Sequence, residues 1–221
     1  MFERIGGLLH LVILLGTALL ISTGCQTTYY NTMEKFGVHK RDIMVDRVEE
    51  ARDSQEEAKE QFQSALEKFS SVLNFKGGEL EDKYKTLKAE YDKSEAKADE
   101  VRDRIDAVED VSEALFDEWE DELDQYSSAS LRRDSEKKLS ATRRQYKQLI
   151  RAMHKAEKKI EPVLTALGDQ VLYLKHNLNA KAIASLQSEL VTVESDIAEL
   201  VREMEKSITE ANSFIKTMLE E

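Results

Sequence analysis

From Val48 onward, apolar side chains recur at alternating separations of three and four residues, and this cadence leaves the chain little but long helices to fold into. Val48, Ala51, Gln55, Ala58, Phe62, Ala65, Phe69 and Val72 make the first stripe. A mean separation of 3.5 residues keeps one helix face turned toward a partner, as in heptad packing. The stripe resumes from Leu80 through Ile105 to Trp119, from Leu139 through Leu149 and Ile160 to Leu174, and from Ile183 through Leu200 to Met218. One proline and eight glycines in 221 residues leave few places for such helices to stop. The pattern predicts four helices, over about 42–73, 79–125, 131–176 and 180–218.

The breaks fall at helix-breaking chemistry. Gly77-Gly78 tolerates the positive φ of a tight reversal, Ser127, Ser128 and Ser130 compete for backbone hydrogen bonds and can cap the next helix, and Asn177 and Asn179 suit helix ends. Pro162 lies inside the third stripe. It removes a backbone donor and crowds the preceding turn, but the apolar register runs straight across it, which predicts a kinked helix rather than two.

Folding the chain back at each break brings the stripes together layer by layer. Phe62 meets Tyr91 across the first turn, Leu115 meets Leu139 and Val108 meets Tyr146 across the second, and Leu167 meets Leu190 across the third. The expected fold is all-α: an elongated antiparallel four-helix bundle, with middle helices about 70 Å long. The outer helices stop short of the second turn, so residues 116–138 project as a helical-hairpin tip. Phe116, Trp119, Leu123, Arg132 and Arg133 are its candidate partner-binding residues, with packing inside the hairpin as the competing use for the aromatics. The outgoing arm of this hairpin is acidic and the returning arm basic, an arrangement expected to pair within the hairpin and weakly favour its register.

A formal charge of −12 disfavours a nucleic-acid surface, which needs concentrated positive charge. The four histidines form no His-Glu-x-x-His pair, Lys76-Gly77-Gly78 lacks the spacing of a phosphate loop, and the acidic arm does not follow calcium-loop spacing. No catalytic residue, metal ligand or cofactor is therefore expected, and the chain reads as a non-enzyme.

The N-terminus carries a different signal. Arg4 precedes an apolar run from Leu8 to Ile21 that is short for a membrane span and suited to a signal peptide. Ser22-Thr23-Gly24-Cys25 resembles the lipobox of bacterial lipoproteins, in which the chain is cut before a cysteine that is then acylated. Ser22 replaces the usual leucine, with Ile21 one step further away. Cys25 is the only cysteine, and several acyl chains on it supply a stable anchor without a spanning helix. In lipoproteins of this kind, a residue such as Gln26 after the cysteine accompanies sorting to the outer membrane. The expected organisation is a signal peptide over 1–24, a lipidated polar tether over 25–41 and a helical bundle over 42–221.

Cys25, Tyr29-Tyr30-Asn31, Glu34 and Gly37-Val38-His39-Lys40-Arg41-Asp42, followed by nearly uninterrupted helix, resemble the DUF2959-type bacterial lipoproteins. The resemblance covers most of the mature chain and implies a bacterial envelope lipoprotein; it supplies no catalytic residues and no substrate. The expected function is a membrane-anchored periplasmic structural or protein-interaction module on the outer membrane, with an envelope protein as partner. A lipid-responsive accessory of envelope stress or assembly is the alternative. The stripes suit a monomeric bundle and equally a homo-oligomer of hairpins exchanged between subunits.

Overall fold

In the computed structural model, the described residues are Tyr30, Met33, 37–74, 79–177 and 179–220. The expected signal peptide, Cys25 and most of the tether lie outside them, as do 75–78 in the first turn and Leu178 in the third. Five helices follow in order: α1 (Lys40–Asn74), α2 (Leu80–Leu123), α3 (Ala129–Glu157), α4 (Ile160–His176) and α5 (Ala180–Glu220). Together α3 and α4 take the place of one long arm, so four helical columns run up, down, up and down. Columns adjacent in sequence pack on one another, and α1 packs on α5 to close the ring. The described residues fold as the all-α antiparallel bundle that the stripes predict.

The long arm divides where a single kinked helix is expected. Lys158 and Lys159 form a two-residue turn between α3 and α4, with both backbones in the right-handed helical region. Pro162 is the third residue of α4. Its absent N–H would have bonded the Lys158 carbonyl, and its ring crowds that carbonyl, so the helical ladder parts four residues upstream. Lys159 N–H bonds the Ala156 carbonyl instead, at 3.0 Å. Because the turn keeps near-helical angles, Met153, Ala156, Ile160 and Val163 stay on one buried face through it.

The tether is tied down earlier than its polarity suggests. Tyr30 is buried in the core, Met33 and Val38 pack against it, and the Val38 amide donates to the Met33 carbonyl at 3.1 Å. Gly37, at φ +84°, then turns the chain into α1, a conformation that costs glycine little.

Ion pairs fix the registers. Lys97 with Glu57 and Arg104 with Glu50 join α1 to α2, and Lys155 with Glu203 and Lys159 with Glu199 join the long arm to α5. These levels agree with the layers expected across the first and third turns. In the core, Phe62, Phe69, Leu87, Ile105, Leu149, Ile160 and Leu167 are fully buried. Gly168 lets α4 approach α2 closely, since a Cβ there would lie 3.1 Å from the Tyr91 ring.

Polar residues interrupt the buried apolar run at several points, two of them at the middle of the bundle. Gln55 on α1 and Ser207 on α5 are fully buried, and neither the Gln55 amide atoms nor the Ser207 hydroxyl has a hydrogen-bond partner. The bond from Gln187 Nε2 to the Leu73 carbonyl (2.7 Å) and that from Arg52 Nη1 to Asn212 Oδ1 (3.3 Å) set the α1–α5 register. That register puts Gln55 level with Ser207, midway along the bundle. Ser207 faces the core at this level, while the adjoining Ile208 is only half-buried.

Candidate interaction site at the hairpin tip

The level at which the outer helices end defines the tip. Lys40 Nζ, at the start of α1, bonds Glu118 on α2 at 2.7 Å. Arg41 Nε donates to the Met218 carbonyl at 3.2 Å, and Gln145 Nε2 to Thr217 Oγ1 at 3.4 Å, so α5 ends at the same level. The end of α2, the start of α3 and their connection project past both. Within 117–138, Ser135 is the one buried residue.

Capping and ion pairs shape the reversal. The Ser128 hydroxyl accepts from the Leu131 amide at 3.5 Å, capping α3 as the serine cluster predicts. Arg132 Nη2 bonds Asp124 at 2.8 Å, and Arg143 pairs with Glu120. Both pairs are exposed and worth about 0–1 kcal/mol each.

The five candidate residues separate into two groups. Phe116 is buried at the base of the tip, its ring edge-on to Tyr146 with centroids 5.5 Å apart and the Arg143 guanidinium 5.2 Å from its centroid. Trp119 is half-buried, and its indole N–H donates to Ser135 Oγ at 2.8 Å. The Phe116 and Trp119 rings therefore serve the hairpin's own packing. Leu123 is half-buried, whereas Arg132 and Arg133 are exposed. Leu131 and Tyr126 complete the displayed surface at 59% and 41% exposure. The heptad stripe could not flag them, because they lie outside it; their place beside the serine turn was the available signal.

Pairing between the arms is sparser than their opposite charges suggest. Besides the Arg132 and Arg143 pairs, His154 joins them, with Nδ1 2.9 Å from Glu157 and Nε2 3.0 Å from Glu109. Burial alone would lower the His154 pKa, but the hydrogen bonds to Glu157 and Glu109 outweigh it and hold the imidazole above its ordinary value. Asp106 is raised, by burial first and then by repulsion from Glu109, Glu157, Asp110 and Asp103. Among the described residues no group of three or more His, Cys, Asp or Glu could hold a metal ion, and no helix is long and apolar enough to cross a membrane.

A search among functionally curated proteins finds no match. The model of one family, described as a protein of unknown function (DUF2959), matches residues 29–218. That span takes in Tyr30, all of α1 to α4 and nearly all of α5, and on it the chain belongs to the DUF2959 family.

Proposed function

We propose that the protein is a non-catalytic periplasmic interaction or structural module, anchored by acyl chains on Cys25 to the outer membrane and presenting its hairpin tip to an envelope protein. One observation carries this reading: the chain enters α1 level with Glu118, the end of the bundle from which the tip projects. An anchor upstream of α1 would therefore sit toward the same end as Tyr126, Leu131, Arg132 and Arg133. A tip held near a membrane meets partners embedded in or resting on it, while the remaining helix length sets reach and spacing. Apolar side chains ringed by arginines suit a protein contact, since arginine and aromatic residues carry much of the energy of protein interfaces.

A photo-crosslinker placed at Leu131 in cells tests the reading. A specific envelope-protein adduct is expected, lost with Arg132→Glu and Arg133→Glu and absent when the crosslinker stands at Val191 on α5. Equal labelling from both positions, or none at the tip, would overturn it.

A further inference from the structure

The α2–α3 face carries two parallel, oppositely charged stripes that do not satisfy one another. Helix α2 holds 17 acidic against seven basic residues, and α3 nine basic, counting Arg and Lys, against three acidic. On α2, Asp103, Asp106, Glu113, Asp117 and Asp121 point outward at helical spacing; on α3, Arg133, Lys137, Arg144, Lys147 and Arg151 do the same. All ten are exposed. The links between the arms use other residues, chiefly Arg143 with Glu120 and His154 with Glu109. Those links also set the level of the stripes, placing Glu113 and Asp117 alongside Arg144, Lys147 and Arg151. The basic stripe follows a shallow groove of about 400 Å³ lined by Arg133, Glu136, Lys137, Ser140 and Arg144.

We infer that this face docks a second copy of the chain. A half-turn about an axis parallel to the bundle, laid along the α2–α3 face, sets each acidic stripe against the other copy's basic stripe at the same level. A half-turn about an axis across the bundle opposes acid to acid and base to base, so charge selects the parallel dimer. The pairing is isologous and closes at two copies. An anionic lipid surface fits the face less well, because lying across both helices it would meet the acidic stripe of α2 as well as the basic stripe of α3. The parallel dimer also keeps both α1 N-termini at one end, as the proposed anchor requires. Self-pairing itself uses only the charged faces and stands or falls without the anchor.

The full-length chain in detergent, with its mass read by light scattering and corrected for bound detergent, tests the dimer whether or not Cys25 is acylated. Two chains per particle are expected at about 50 mM salt, with self-association weakened at least about tenfold near 500 mM as the stripes are screened. Lys147→Glu with Arg151→Glu should give a single chain, as should Glu113→Lys with Asp117→Lys. Mixing the two variants should restore a dimer, because each then supplies the charge its partner lacks. A wild-type chain that is single at low salt, or variants that fail to recover on mixing while keeping full helicity, would overturn the inference. So would a single chain that binds phosphatidylglycerol vesicles through Lys147 and Arg151, which would assign the basic stripe to lipid. Should a charge-reversed chain lose helicity, the wild-type salt titration still decides.

Discussion

Replacing Gln55 by methionine should make the protein more stable. Gln55 is fully buried at the middle of α1, with both amide atoms unpaired, level with an equally unpaired Ser207. A buried polar group without a partner costs about 1–3 kcal/mol, whereas an apolar side chain of similar shape removes that cost and keeps the volume. Methionine has the unbranched shape of glutamine, so the layer need not repack. The expected gain is about 1–3 kcal/mol, which for a chain of this size raises the melting temperature by roughly 2–12 °C. Urea and thermal unfolding followed by helical circular dichroism would read it, with Ser207→Ala and the double variant measured beside it. If Gln55→Met instead destabilises by more than about 1 kcal/mol and Ser207→Ala costs a similar amount non-additively, the two polar groups bond each other and the reasoning fails.

The Phe116→Ala variant removes a buried ring held by Tyr146 and Arg143 and should cost about 3 kcal/mol in the same unfolding assay, with early loss of amide protection from residue 116 to 146. Because the folded pKa of His154 lies above its unfolded value, its contribution to stability is complete below about pH 6.5 and is lost as the pH rises through the folded pKa. Stability relative to His154→Gln should therefore fall as the pH rises above about 6.5, and identical profiles would contradict the Glu109–His154–Glu157 arrangement. Restoring a backbone donor with Pro162→Ala should fuse α3 and α4 and add about 1 kcal/mol, seen as slower amide hydrogen exchange at Lys159, Ile160 and Glu161 than in the wild type.

The stripe was legible because each helix buries one face, and burial repeats at the helical period whatever the surface does. Phe62, Ile105, Leu149 and Leu200 are buried where the cadence places them. The first and third turns are short, so counting outward from them gives layers that the Glu57–Lys97 and Lys159–Glu199 pairs respect. Counting outward from Ser127 works at the outer tip, where Trp119 meets Ser135, but slips nearer the bundle. There Tyr146 lies on Phe116 rather than Val108, since apolar spacing fixes which face of each helix is buried and not how far along the axis two helices meet. The break at Lys158–Lys159 was hidden for a related reason. Apolar periodicity reports which side chains face the core and is blind to a lost backbone bond that leaves the axis nearly unchanged.

At the candidate site, the sequence marked the hairpin but not which of its residues stay available. Ring packing of Phe116 and the Trp119–Ser135 bond depend on how two helices meet, and no spacing rule encodes that. Exposure of Leu131 and Tyr126 follows from their place past the ends of α1 and α5. Unmatched stripes on α2 and α3 were also concealed, since opposite charges on neighbouring arms read as mutual pairing until their faces are known.

Intact-mass analysis of the membrane-fractionated protein, wild type against Cys25→Ser, tests the central proposal most directly. The account predicts a mature chain beginning at Cys25 and carrying acyl mass, with the Cys25→Ser chain neither acylated nor retained in the membrane fraction. An uncleaved, unacylated wild-type chain in the soluble fraction would contradict it.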